Sequence, residues 1–341
     1  MLNSQQMSEK IAVVVPCYKT RKHILDLLGR IGPEVFSIYV VDDCCPEGTG
    51  HYVESECDDP RVNVVYNSVN LGVGGAVMAG YGAAINDGCD IFVKIDGDGQ
   101  MDPALIPSFV SPIITGDADY VKGNRFFDPE SLSGMPFIRL FGNAVLSFFT
   151  KLSTGYWHLF DPTNGYTAIH SEVAKHLHFH KISQRYFFET DVLFRLGLQG
   201  AVVYDLPMTA HYADEESNLN IRAVIPEFLL KHCKNAGKRF FYRYILRDFS
   251  LATLEFLMGI VLTLFGGIYG ATRWYESAQG GIPVSAGGVM LAALPLLVGL
   301  QFLLAFFNYD MLAVPKRAVH PALVHRSQVA SHMTNKQKDL I

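Results

Sequence analysis

The chain has 341 residues, enough for one large domain or two smaller ones, with 18% charged and 49% apolar residues. So few charges exclude a disordered chain and a coiled coil, and a net charge of −5 offers nucleic acid no attractive field. The six cysteines contain no C-x-x-C pair, which fits reduced thiols in a reducing compartment.

Residues 1–10 lack the charged-then-apolar pattern of a signal peptide, and the apolar run at 11–16 is too short to supply one. A cytosolic domain is therefore expected first. Short apolar runs at 11–15, 38–41, 62–66, 91–95 and 120–122 read as buried strands of a mainly parallel sheet. Helical spacing at 22–31, 72–87 and 103–115 falls between them. Alternating strand and helix predicts an α/β sandwich, whose ligands bind beyond the carboxyl ends of the strands. Polar motifs stand at those ends: Pro16, Cys17 and Tyr18 after the first run, Asp42 and Asp43 after the second, and Asp96 to Gln100 after the fourth.

The fourth run continues as Lys94-Ile95-Asp96-Gly97-Asp98-Gly99-Gln100. Alternation puts the two carboxylates on one side, and the glycines let a ligand approach the backbone. Such hard oxygen ligands suit Mg²⁺ or Mn²⁺ bridging to a diphosphate, so Asp96, Asp98 and Gln100 are the candidate metal residues. Asp42 and Asp43 can accept hydrogen bonds from a base or ribose, or cap a turn. The glycines after Asn70 lack the third glycine of a dinucleotide loop. His170, His176, His178 and His180 read as solvated side chains rather than zinc ligands. Glu189 and Asp191 belong to the first turn of a helix, where acids are favoured.

Two apolar runs near the C-terminus, about 249–271 and 286–307, meet the length needed to cross a bilayer. Six basic residues and no acid occupy 231–247, and five basic residues follow at 316–338; the loop between the runs has only Arg273 and Glu276. This asymmetry places both termini in the cytoplasm. The mixed aromatic and basic stretch at 227–248 is suited to the headgroup plane.

Together these motifs resemble glycosyltransferase family 2 with its GT-A nucleotide-diphospho-sugar fold, and more narrowly the polyprenyl-phosphate sugar synthases. Val13 to Tyr18 looks like the opening strand, Asp42-Asp43 like the acidic pair, Asn70 to Gly80 like the Asn-x-Gly helix start, and Asp96 to Gln100 like the metal motif. Gly123-Asn124-Arg125-Phe126 is similar to the group's Gly-Ser-Arg-Tyr stretch, and Pro136 to Arg139 to the segment bearing its second arginine. Asp161-Pro162-Thr163-Asn164-Gly165-Tyr166 is similar to its Asp-x-x-Ser-Gly-Phe motif.

The resemblance implies a nucleotide-diphosphate sugar as donor, held by Pro16, Tyr18, Asp42, Asp43, Gly72, Lys94, Asp96, Gly97 and Asp98. It implies a polyprenyl phosphate as acceptor, held by Arg125, Arg139 and Ser217, with Asp98, Asp161, Arg125 and Arg139 as the catalytic set. It departs from the group where Tyr212 and Asn218 replace two cations around Ser217. The organisation expected is a cytosolic GT-A domain at 1–226, a basic interfacial segment at 227–248, two transmembrane helices within 249–308, and a cytosolic tail at 309–341. The expected activity is inverting, metal-dependent transfer of one sugar at the cytosolic face of the plasma (inner) membrane; homo-oligomerisation is left open. A hydroxyl acceptor, with Glu189 or Asp191 as base, is the nearest rival, and a non-catalytic membrane scaffold a more distant one.

Overall fold

A computed structural model describes residues 9–127, 137–208 and 221–338, without the side chains of 137–139, 221–224 and 330–338. The chain divides into two compact units, Met1–Cys233 with Pro315–Ile341, and Lys234–Val314.

The first unit is built on a seven-stranded sheet in the order β3-β2-β1-β4-β6-β5-β7. Its strands are β1 Ile11–Cys17, β2 Ser37–Asp42, β3 Val62–Tyr66, β4 Ile91–Lys94, β5 Tyr120–Asn124, β6 Thr167–His170 and β7 Val203–Pro207. All pairings are parallel except those of β6, which runs antiparallel to both β4 and β5. β1, β2 and β4 are buried along their whole length, as a sheet covered on both faces requires. Val13 and Val15 pack with helices α1 (Ile24–Gly29) and α4 (Ile106–Ile114) in one cluster. On the other face Gly80 of α3 (Val73–Asn86) lies where an added Cβ would meet Val14 and Val41. The helix α2 (Thr49–Glu56), β6 and β7 have no counterpart among the sequence expectations, because their apolar runs are short or interrupted.

Three further helices lie beside this sheet region. α5 (Phe137–Thr154) packs on α7 (Phe188–Gln199), and His232 of α8 (Ile221–Phe240) meets Ser153 at 2.9 Å. α5 inverts the usual polarity of a surface helix: Ser147, Thr150, Ser153 and Thr154 are buried, whereas Phe141 and Phe148 are 58% and 53% exposed.

At the sheet edge where β5 begins and β6 ends, Asp119 is fully buried. Its carboxylate accepts from the backbone N–H groups of Val202, Val319 and His320, and contacts His320 Nδ1 at 2.8 Å. The His320 ring stacks on His170 at 4.4 Å. Residues beyond the second apolar run are thus fastened to the first unit, and α11 (His320–Lys338) packs on the short helix α6 (Ser171–Lys175). His170 departs from its expected solvated state: it is buried, and its Nδ1 accepts from Glu172 N as the cap of α6.

The second unit contains a π-helical turn, Phe241–Arg247, and helices α9 (Leu251–Gly280) and α10 (Ala286–Leu312). Both helices are long and apolar enough to cross a membrane. They form an antiparallel hairpin in which Gly259, Gly266 and Gly299 leave no room for a Cβ against the facing helix. α9 runs past the expected span end until Gly281, whose left-handed backbone closes it. Arg239 holds Asp310 through two 2.8 Å hydrogen bonds, and Tyr244 donates to the same carboxylate.

Burial holds the His170 and His232 side chains at about 4, far below the ordinary histidine range. From the ordinary value near 6.5 down to about 4, the unfolded chain therefore binds protons that the folded chain does not, and stability is lost as the pH is lowered. The melting temperature of the detergent-solubilised protein should drop between about pH 7 and about pH 5, with a shallower slope in His170→Gln. A flat profile across that window would contradict this account.

Candidate active site

β1, β2 and β4 end at one edge of the sheet, and together with the turn preceding α3 they enclose an open cleft of about 740 Å³. Its walls include Pro16, Cys17, Tyr18, Asp43, Gly72, Asp96, Gly97 and Asp98. Of the expected donor residues, Asp42 and Lys94 alone do not border it. Asp42 is turned to the backbone, its two oxygens accepting from Cys45 N and Gly50 N at 2.7 Å each, so it braces the loop into α2. Asp43 accepts from Asn67 Nδ2, Leu71 N and Gly72 N at 2.7–2.9 Å. The acidic pair is thus divided between a structural carboxylate and a cleft carboxylate.

Gly72 has φ +82°, and a Cβ there would lie 2.8 Å from the Gln184 carbonyl oxygen. That close approach, with Gly74 N donating to the same oxygen at 2.8 Å, brings Arg185 and Tyr186 to the cleft wall. Both escaped the sequence reading. Arg185 is a lone cation in a segment without periodicity, and only the seating of its loop on α3 makes it a cleft residue.

Asp96 and Asp98 face the cleft from the turn after β4. Asp98 Oδ1 accepts from Gln100 N at 3.0 Å, so Gln100 shapes this turn through its backbone. Lys94 is 1% exposed beneath them, with its ammonium 2.8 Å from Asp96 Oδ1 and 3.5 Å from Glu189 Oε1. Burial works against the lysine's charge, yet the Asp96 and Glu189 carboxylates outweigh it and raise its pKa. Glu189 itself is pushed up by burial, which the neighbouring Lys94 only partly offsets. Two hard carboxylates on one turn, facing open space, could hold a divalent cation. Among the described residues, no group of three or more His, Cys, Asp or Glu side chains is assembled to hold a metal.

Because β6 is antiparallel, its N-terminal end lies at this same edge, and so does the segment Asp161 to Tyr166 that leads into it. Asp161 is fully buried and takes Arg125 Nε at 2.8 Å, Nη2 at 3.0 Å and the Arg125 backbone N at 3.2 Å. Burial opposes its ionisation, but Lys122 and Arg125 prevail and hold its carboxyl below the ordinary range. The structure therefore pairs two residues of the expected catalytic set with each other, leaving Arg125 30% exposed. Arg139 lies in the first turn of α5 with its side chain outside the described residues, and Ser217 lies outside them altogether. Asp191 accepts from Ser183 N and pairs with Arg195, bracing the loop ahead of α7.

The description Glycosyl transferase family 2 matches residues 12–177. The chain is 28% identical over 204 residues to the undecaprenyl-phosphate mannosyltransferase of Micrococcus luteus, covering 59% of this chain and 83% of that one. It is 30% identical over 196 residues to the UDP-N-acetylglucosamine–dolichyl-phosphate N-acetylglucosaminyltransferase of Methanococcus voltae, covering 53% and 77%. Its fold is similar to that of glucosyl-3-phosphoglycerate synthase from Mycobacterium tuberculosis, solved with Mn²⁺, UDP-glucose and phosphoglyceric acid. That match has a TM-score of 0.54 at 20% identity, over 68% of this chain and 81% of the other. The sheet core is thus of the GT-A type.

A Cβ built on Gly165 would lie 2.5 Å from the Lys94 ammonium and also strike Asp96. Gly165→Ala should therefore weaken nucleotide binding by about tenfold while the circular dichroism spectrum is retained, as overpacking of a tight site costs on this scale. Unchanged affinity in a titration calorimeter would show that the Lys94–Asp96 geometry does not govern the cleft.

Proposed function

The chain belongs to glycosyl transferase family 2, and from that premise we propose that it transfers one sugar from a nucleotide diphosphate to a polyprenyl phosphate at the cytosolic membrane face. The observation that carries this reading is a carboxylate-lined donor cleft beside the Arg125–Asp161 pair, in a chain whose next unit holds two helices long enough to span a bilayer. The names of the Micrococcus and Methanococcus relatives, both acting on polyprenyl-type phosphates, support it.

The acceptor phosphate carries about 1.5–2 negative charges near neutral pH and is already a nucleophile, so no strong base is required. Its oxygen attacks the anomeric carbon from the face opposite the nucleotide, the bond to the diphosphate oxygen breaks, and configuration inverts. Asp43 receives the nucleoside and Tyr18 flanks it. A divalent ion, Mg²⁺ or Mn²⁺, held by Asp96 and Asp98 with Gln100 beside them, supplies charge neutralisation to the departing diphosphate when bound. Arg125, fixed in orientation by Asp161 and 30% exposed, supplies its guanidinium to the acceptor phosphate, with Arg139 and Ser217 as further acceptor contacts.

The membrane assignment has support beyond hairpin length. A hairpin of two spans returns the chain to the side of the bilayer it came from, which fits cytosolic residues both before and after it. The basic stretch at 227–248 then meets anionic headgroups, and the exposed Phe141, Val145 and Phe148 of α5 suit a unit held at the lipid surface.

The detergent-solubilised protein, given undecaprenyl phosphate, Mg²⁺ or Mn²⁺ and a panel of UDP- and GDP-sugars, should yield a lipid heavier by one sugar residue in mass spectrometry. Asp98→Ala should abolish that product. Intact nucleotide binding without a lipid product from any donor would refute the polyprenyl-phosphate acceptor.

A further inference from the structure

Lys94 is an expected donor residue that does not border the cleft, and three segments converge on it. β4 supplies the lysine, the first turn of α7 brings Glu189 to 3.5 Å, and the segment before β6 passes so close that only glycine fits at Gly165. A buried ammonium is costly unless carboxylates compensate it, and removing it leaves those carboxylates uncompensated together. Here the compensating carboxylates are Asp96, which faces the cleft, and Glu189, which does not border it. The row of the sheet beneath the site extends the arrangement. Thr167 of β6 stands opposite both Lys94 and the buried Lys122, so two lysines flank one threonine across three strands.

We propose that Lys94 is a positioning residue that fixes the Asp96 carboxylate for the donor, and that Glu189 is its counter-ion rather than a proton acceptor in the transfer. Lys94 anchors Asp96 Oδ1 at 2.8 Å, while the Asp96 side chain keeps 29% of its surface exposed and borders the cleft. Glu189 balances the remaining charge of the lysine from below. This assignment rests on the donor half of the proposed function and is independent of the acceptor's identity.

The test uses the full-length protein in detergent with Lys94→Met, Lys94→Arg, Glu189→Gln and the Lys94→Met/Glu189→Gln pair. Affinity for UDP or GDP, whichever the wild type binds, is measured by calorimetry with and without Mn²⁺, alongside kcat and donor KM. Each single variant should weaken Mn²⁺-dependent nucleotide binding and raise donor KM several-fold. The double variant should lose less than the product of the two, because the pair is removed together. Loss of a general base would instead lower kcat by ~10²–10⁴ with nucleotide affinity intact, and that result in Glu189→Gln would overturn the proposal. Unchanged affinity in Lys94→Met would overturn it as well. If Lys94→Met does not fold, the near-isosteric Glu189→Gln and the charge-retaining Lys94→Arg carry the same readouts. A wild type that binds neither nucleotide refutes the donor reading itself, whereas normal wild-type binding with unaffected variants refutes only this role for Lys94.

Discussion

A strand buried on both faces can present polar chemistry only where it stops, and the first unit is arranged around that constraint. β1, β2 and β4 are buried throughout and parallel, so the polar residues that follow them gather at one edge of the sheet. The cleft residues Tyr18, Asp43, Asp96 and Asp98 come from three places in the sequence and meet for that reason. The antiparallel β6 obeys the same geometry from the other direction. Reversing one strand brings its entry, rather than its exit, to the functional edge, and with it Asp161 and Gly165.

Buried charge marks the points where segments are locked together. Asp161 with Arg125 joins the loop after β5 to the loop before β6, Lys94 joins β4 to α7, and Asp119 joins the far edge of the sheet to the residues around His320. In the second unit, Arg239 and Tyr244 converge on Asp310. An ion pair withdrawn from water adds little net stability, but breaking one side is severe, so each pair strongly disfavours alternative packings. The two pairs at the functional edge differ in consequence. Asp161 and Lys94 are both inaccessible, while their partners Arg125 and Asp96 keep partial exposure, so in each case a buried group aims an accessible one.

Polarity in α5 follows the opposite rule from that of the sheet. Its hydroxyl-bearing face is turned inward, where Ser147 donates to the Leu159 carbonyl and Ser153 meets His232, and its aromatic face is turned outward. A helix of this kind in water exposes apolar area without return, whereas beside a lipid surface the same area is buried. The hairpin glycines show a related economy. Close approach of α9 and α10 at Gly259, Gly266 and Gly299 supplies the packing between the two helices.

The sequence alone carried the alternation of strand and helix, the boundaries of β3 and the start of α7, the two apolar spans, and the ordered motifs that identify the family. Those features are local: a period, a run length, or a carboxylate at the end of an apolar stretch. The division of labour within Asp42-Asp43 was not legible, since both carboxylates have the same neighbours in sequence and only the fold turns one to the backbone and the other to the cleft. Nor could sequence place Arg185 at the cleft, bury His170 under His320, or fasten residues beyond the hairpin to Asp119. Each of these depends on segments separated by about a hundred residues or more, or on a loop with no periodicity. Such contacts arise from strand order and from how closely one backbone can pass another, and the tertiary structure alone decides both.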